Sequence, residues 1–287
     1  MQQQAHLGGV KEMAQVLGIS RSGYYRYCQA KQSQRQEAND RLMKDINSIH
    51  QQSRQTYVSP RVHAELKTQG YSCSRPRVAR LMQQQGIAAK MKKRFKKTTC
   101  VNPKAPVAAN VLQQDFSAKR PNERWLSDIT YISTNEGWLY VAVLLDLFSR
   151  KVVGMATSES LEKELVIQAL KQALGRRQRQ GELLHHSDKG CQYTSKAFRD
   201  LLNQENIRCS MSGTGNCFDN AAMESFFHTL KTEHVYFERY QTRKEAQASI
   251  FEYVEVFYNN QRRHSTLDYL APTEFENNYY QQQKISF

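Results

Sequence analysis

The sequence predicts an α/β core preceded by a basic helical region, and three observations lead there. From about residue 117 onward, strand-like and helix-like segments alternate, the pattern of one sheet covered by helices. Positive charge is confined to the front: residues 1–110 hold 20 Lys/Arg against 5 Asp/Glu, whereas residues 111–287 hold 21 against 22. Three carboxylates, Asp128, Asp188 and Glu224, fall where a strand centre, a strand end and a helix start are expected.

The basic front reads as helices separated by turn signals. Ala14 to Leu17, then Gly18, then Ser20 ahead of Arg21 to Tyr25 spell helix, turn, Ser N-cap and second helix, a helix-turn-helix outline. Val62 to Leu66 forms a short amphipathic helix broken at Gln69-Gly70, and Ser74 caps another with Pro76 in its first turn. Val78, Leu81 and Met82 give that helix a buried face, leaving Arg75, Arg77, Arg80 and Gln84 for a DNA groove and its phosphates. A helical hairpin with solvated arginines would share this pattern. Lys92, Lys93, Arg94, Lys96 and Lys97 then crowd one run ahead of Asn102-Pro-Lys-Ala-Pro106, which reads as a basic linker following a DNA backbone, or more plainly as a solvated tether. So lopsided a charge is the footprint of a polyanion-binding region.

In the core, residues 124–132 and 138–146 are apolar, β-branched and aromatic runs joined by Ser133 to Gly137, hence two strands and a turn. Lys151 to Thr157 is a third strand, Leu161 to Arg179 an amphipathic helix and Leu183 to His186 a fourth strand. Ser195 to Glu205 is a helix and Ile207 to Met211 a fifth strand. The glycine-bearing stretch Ser212 to Cys217 borders the acids, and a helix follows that Asp219 or Asn220 can cap. Thr242 to Asn260 is a long helix whose Ile250, Tyr253, Val254 and Phe257 face the core. The expected divisions are 1–40, a helical segment with the first helix-turn-helix outline; 41–98, a helix-turn-helix-like DNA-binding domain; 99–116, linker; 117–277, core; and 278–287, tail.

The acids carry the chemistry. A carboxylate in the middle of an apolar strand, as at Asp128, is costly unless it is hydrogen-bonded in the sheet or holds a cation. Asp188 closes a short strand before Lys189-Gly190, at the carboxyl-terminal sheet edge where α/β folds bind ligands. Glu224, Phe227, His228 and Lys231 fall on one helix face. Carboxylates brought together repel, and one would keep a proton near neutral pH unless a cation intervenes. Two magnesium ions, with manganese as substitute, suit an all-oxygen ligand set and serve in-line displacement at a phosphodiester. No Cys/His cluster with zinc spacing competes, and the six cysteines lack any Cys-x-x-Cys pair, so they read as reduced thiols. Without an apolar run of membrane length or a signal peptide, a cytoplasmic, nucleoid-associated protein is expected. Three further readings stand beside the acids. His186 is a hydrogen-bonded wall residue or a contact to metal or phosphate. Asp146 is a hairpin-turn residue or a fourth carboxylate. Arg262, Arg263 and His264 bind DNA or cap the last helix.

Five ordered motifs carry a resemblance: Trp125-x-x-Asp128-Ile-Thr-Tyr131; Asp146-Leu-Phe-Ser-Arg150; His186-Ser-Asp188-x-Gly190-x-Gln192-Tyr193; Asp219-Asn220-x-x-x-Glu224-Ser-Phe-Phe-x-x-Leu230-Lys231; and Tyr258-Asn-x-x-Arg262-Arg-His264. Together, over roughly residues 40 to 277, they resemble the integrase-like transposases of bacterial insertion sequences, of the second-reading-frame (OrfB) type in the IS-three family. The resemblance implies a ribonuclease-H-like integrase core with Asp128, Asp188 and Glu224 as catalytic, metal-binding acids and Lys231 as a contact to terminal DNA. It also implies cleavage and strand transfer at terminal inverted repeats, DNA integration by a copy-out, paste-in route, a homo-oligomer on paired ends, and fusion or partnership with the first-frame (OrfA) product. Two departures bear on DNA contacts: Tyr57-Val58-Ser-Pro-Arg61 lacks a glycine the family often has after the tyrosine, and Gly213 and Thr214 stand where relatives commonly place basic residues. Two other functions would use the same parts, a DNA-binding regulator with an inactive core and a structure-selective nuclease.

Overall fold

The computed structural model describes residues 9–29, 33–90, 108–213 and 217–285. The first helices, α1 (Val10–Val16) and α2 (Arg21–Gln29), form the outlined hairpin: Gly18 turns the chain at φ +63°, and Ser20 Oγ accepts the Gly23 N–H at 3.0 Å. This pair buries little beyond Ala14. α3 (Gln34–Gln52) begins at Ser33, whose Oγ accepts from Gln36 N, and packs Leu42, Ile46 and Ile49 against α4 (Ser59–Thr68) and α5 (Arg75–Gln84). A division at 40/41 therefore falls inside α3, and the unit starts at the α3 cap instead. α4 is longer than the apolar pattern suggests because Pro60 sits in its first turn, where a missing N–H costs nothing. Ser74 occupies the N-cap of α5, although its side chain makes no capping bond.

One five-stranded sheet forms the core, in the order β3-β2-β1-β4-β5. β1 (Arg124–Thr134), β2 (Gly137–Asp146) and β3 (Val152–Ser158) run antiparallel, joined first by an Asn135-Glu136 turn. Gly137, at φ +110°, supplies the backbone that this tight turn demands. β4 (Leu183–Ser187) and β5 (Ile207–Met211) run parallel to β1 through helical crossovers α6 (Lys163–Arg176) and α7 (Lys196–Gln204). α6 lies close on β3: a Cβ at Gly154 would meet Ala169 O at 2.3 Å, so only glycine fits.

Alternation splits the strand residues between two cores. Trp125, Ala142, Leu144 and Val153 pack with α6 and α7. Leu126, Ile132, Val141, Val143 and Leu145 face the other way, onto α8 (Ala221–Glu233) and α9 (Arg243–Glu252). That second core continues into Leu42, Ile46, Val62, Leu66 and Val78 of α3 to α5, so the helical unit is packed onto the sheet domain. α9 runs on as a π-helical stretch over Tyr253–Tyr258, and the expected core residues Ile250, Tyr253, Val254 and Phe257 are all buried. The last helix, α10 (Pro272–Ile285), passes through the expected 277/278 division.

The linker reading also needs correction at its end. Ala109 O accepts from Met211 N, Val111 N donates to Ser210 Oγ at 2.9 Å, and Leu112 is buried, so the chain is docked on β5 before residue 117. Lys92, Lys93, Arg94, Lys96 and Lys97 lie outside the described residues.

Candidate active site

The pairing of β1 with β4 places two of the acids. Arg124, Trp125 and Leu126 pair with Leu184, His185 and His186, and Asp128 and Asp188 stand at matching positions two residues beyond the last pair. Both are half-buried at the carboxyl-terminal end of β4. Glu224 approaches from the first turn of α8 and is exposed. Burial, then the Asp188 charge, push the Asp128 carboxyl up to about 8; the Ile129 N–H bond at 2.7 Å opposes the rise, Glu224 adds to it and Lys231 opposes it. Burial likewise raises Asp188, against the Gly190 N–H bond at 2.9 Å.

Asp128 is thus an acid short of positive charge beside two others. Among the described residues no group of three His, Cys, Asp or Glu side chains is already gathered to hold a metal ion. The arrangement is an inner aspartate pair with an outer glutamate on an open flank. An all-oxygen set whose inner member keeps its proton near neutral pH fits a hard divalent cation, which would replace that proton.

Lys231, two turns along α8 from Glu224, is half-buried, with Nζ 5.0 Å from the centre of the Tyr131 ring. Burial lowers its pKa and Asp128 opposes the fall, so its ammonium belongs to the acid site. It is not paired with Glu233, its plainest alternative partner, because Arg262 and Arg61 hold that carboxylate.

Neighbouring residues form a neutral wall. His186 has Nδ1 2.9 Å from Ser210 Oγ and Nε2 3.2 Å from Ser212 Oγ, and burial holds its pKa down to about 4, in keeping with the wall reading. Tyr193 OH lies 2.8 Å from Ser127 Oγ; burial and then the charges of Asp128 and Asp188 keep this phenol protonated. Neither Tyr193 nor Ser127 stood out as a site residue from sequence, although Tyr193 closes one of the motifs.

Of the two capping candidates, Asn220 takes the position and Asp219 does other work. The α8 N-cap is Asn220, without a side-chain capping bond, because a 3₁₀ turn over Cys217–Asn220 intervenes. Asp219 accepts instead from Asn110 Nδ2, Gln114 Nε2 and Gly213 N at 2.9, 3.1 and 2.7 Å, tying the docked linker to the loop beside the acids. Asp146 fills the turn role, accepting from Asn122 N and Ser149 N at 2.6 and 3.0 Å.

Arg262 closes the end of the π-helical stretch through its backbone, N–H to Phe257 O at 2.7 Å, but the side chains of both arginines of the last motif are engaged within the fold rather than free for DNA. Arg262 grips Glu233 through two bonds of 2.8 and 2.7 Å, and Arg263 pairs with Glu65 of α4 at 2.6 Å. On α5, Arg75 and Arg80 are exposed, whereas Arg77 donates twice to Asn39 Oδ1 of α3 at 3.0 and 2.8 Å.

The pattern of the Integrase core domain matches residues 118–217 and a second Integrase core domain pattern matches 224–279, while an HTH-like domain matches 37–95. The chain is 42% identical over 269 residues to the "Insertion element IS600 uncharacterized 31 kDa protein" of Shigella sonnei, covering 94% of this chain and 99% of that one. It is 41% identical over 270 residues to "Transposase InsF for insertion sequence IS3A" of Escherichia coli, covering 93% and 94%. Among solved structures it is similar to a simian T-cell lymphotropic virus intasome in complex with a PP2A regulatory subunit, at 16% identity and TM-score 0.46 over 74% of this chain and 69% of that one.

Proposed function

Because this chain belongs to the IS3 family of insertion-sequence transposases, we propose that Asp128, Asp188 and Glu224 are the catalytic acids with which it carries out DNA transposition, holding two magnesium ions. The carrying observation is the Asp128 carboxyl, pushed up to about 8 by burial beside Asp188 and Glu224. Such an acid holds either a proton or a cation. Magnesium, when bound, supplies the charge that activates an attacking oxygen and steadies the leaving oxygen of a phosphodiester.

The protein's own residues do the rest. β1 fixes Asp128, the β4 edge fixes Asp188, and the exposed start of α8 carries Glu224 to the open side where a DNA strand can enter. Lys231 brings an ammonium to that side for a strand near its cleavage point. Tyr193 and His186 wall the site without titrating near neutral pH, so that proton traffic stays with the acids. The HTH-like unit of α3 to α5 reads the terminal inverted repeats through Arg75 and Arg80, with the basic run of Lys92 to Lys97 along the backbone. Arg77 supports that surface through Asn39. Several copies assemble on paired ends and target DNA, alone or with the first-frame product. No helix among the described residues is long and apolar enough to cross a membrane, in keeping with work on DNA in the cytoplasm.

The test uses the amides Asp128→Asn, Asp188→Asn and Glu224→Gln in the full chain. Each should abolish strand transfer on a terminal-repeat duplex, leave binding of that duplex within about twofold, and remove the stabilisation that magnesium gives the wild type in thermal unfolding. Retention of more than about a tenth of wild-type transfer would remove that residue from the set.

A further inference from the structure

Two motif residues left without a role above meet in one place. Arg150, which ends Asp146-Leu-Phe-Ser-Arg150, and His264, which ends the Tyr258 motif, both line a half-open cavity of about 250 Å³ on the flank of α8. Ser225, Thr229, Tyr258 and Thr266 line it as well. The polar part of the lining therefore holds one guanidinium, one imidazole and four hydroxyls, and no carboxylate, and the remainder is apolar, from Phe116, Leu145, Ala221, Ala222 and Phe226.

Arg150 is the unusual member. It is half-buried and, among the described residues, has no ion pair; its one hydrogen bond is a long 3.4 Å contact from Nη2 to Phe116 O. Asp146 attracts it from a distance but accepts from Asn122 and Ser149. A guanidinium withdrawn from water without a counter-ion is costly. Arg150 also sits at φ +56°, a region that non-glycine residues enter uncommonly. The surrounding field is positive too: burial, then Arg262, Arg150 and Arg61, keep the His264 imidazole neutral, with its pKa near about 3. His264 Nδ1 lies 2.9 Å from Thr266 Oγ1, which fixes the ring at the cavity wall.

We propose that this cavity is an anion site that takes one phosphate group, gripped by Arg150 with hydroxyls of α8 and the His264 ring as partners. Arginine presents a planar fork that matches phosphate oxygens, and the volume leaves room for a tetrahedral oxyanion with several waters of ~30 Å³ each. Ser225 follows Glu224 on α8 and both are exposed, on faces about 100° apart; a DNA strand that passes from the acids around this helix and free phosphate are the two sources of that chemistry.

The experiment uses the full chain. Sodium phosphate is titrated against chloride at constant ionic strength while the His264 ring is followed by ¹⁵N NMR, with His264→Gln assigning the resonance. A saturable shift is expected in the wild type, a midpoint raised at least fivefold in the Ser225→Ala, Thr229→Val double variant, and no shift in Arg150→Gln. In parallel, the salt dependence of binding to random duplex DNA is measured. If a DNA phosphate is the occupant, Arg150→Gln lowers the slope of log K against log salt by about one, and Arg150→Lys restores it. A saturable phosphate shift with an unchanged slope assigns the site to free phosphate. No saturable shift in the wild type together with an unchanged slope overturns the proposal. The DNA arm rests on the strand-transfer reading above, whereas the phosphate arm does not, so the two fail separately.

Discussion

Two glutamates on α8 stand in opposite electrostatic conditions. Glu233, at its end, keeps only 9% of its side chain exposed, and burial pushes its carboxyl up; the two-bond Arg262 grip, Arg61 and Tyr253 OH more than reverse that and hold it below the usual range. Glu224, at its start, is exposed and faces Asp128, an acid that burial and Asp188 keep protonated near neutral pH. One end of the helix is saturated with countercharge and the other is short of it. On the proposed assignment, the charge that serves the fold arrives with its partners in the same chain, while the charge that serves chemistry takes its partner from outside.

Exchanging amide for acid at the two ends should separate these roles most widely. Glu224→Gln should lower strand transfer by at least a thousandfold, about 4 kcal/mol, with unfolding unchanged within ~0.5 kcal/mol. Glu233→Gln should do the reverse: it leaves Arg262 buried without its anion, costing about 3 kcal/mol of stability, while transfer per folded molecule stays within about threefold. Denaturant unfolding and single-turnover transfer on both variants decide it, and a stability loss at Glu224 matching that at Glu233 breaks the contrast.

The unbalanced end also has a pH signature. With a folded-state pKa of about 8 against an ordinary value near ~3.9, Asp128 binds a proton on folding throughout that interval. Its contribution is therefore fully present below pH ~4 and lost as pH rises through about 8, by at most ~1.4 kcal/mol per pH unit. Metal-free wild type should lose stability relative to Asp128→Asn between pH 5 and 8, and magnesium should cancel the difference with release of a proton. Parallel stability curves for the two proteins, without metal, would place Asp128 among ordinary exposed carboxylates.

The same contrast explains what was legible from sequence. Strands and helices of the core follow their periodicity because both sheet faces are covered, and Asp128 stood out because a charge interrupts an apolar strand. Asp188 was legible from its place at a strand end before glycine. The roles of Arg262 and Arg263 were not: in a linear text, an arginine bound to Glu233 or Glu65 looks like one awaiting DNA, since the partners lie 29 and 198 residues away. Asp219 was ambiguous for a related reason. An Asp ahead of a helix is a good cap in general, and only the intervening 3₁₀ turn sends it to Asn110, Gln114 and Gly213 instead. The docking of α3 to α5 was hidden too, because Leu42, Ile46 and Val62 suffice for a small helical core of their own and carry no sign of the second surface they also meet.

Lys231 lies between the two conditions and gives the smallest effect. It is half-buried over Tyr131 and feels Asp128, yet no carboxylate is within ion-pair distance among the described residues. If it steadies a DNA strand beside the acids, Lys231→Ala should reduce strand transfer about tenfold, ~1.4 kcal/mol of transition-state stabilisation, with folding intact. Lys231→Arg should recover part of that, since charge is kept while the reach over Tyr131 changes. An ordinary surface lysine would behave differently, leaving transfer within about twofold and stability within ~0.5 kcal/mol. Kinetics on a pre-cleaved terminal duplex at two salt concentrations separate the cases, because a phosphate contact weakens as salt rises and the deficit of the alanine variant should shrink with it. A near-wild-type rate for Lys231→Ala at both concentrations would leave Lys231 a solvated charge over Tyr131 and remove it from the proposed DNA contacts.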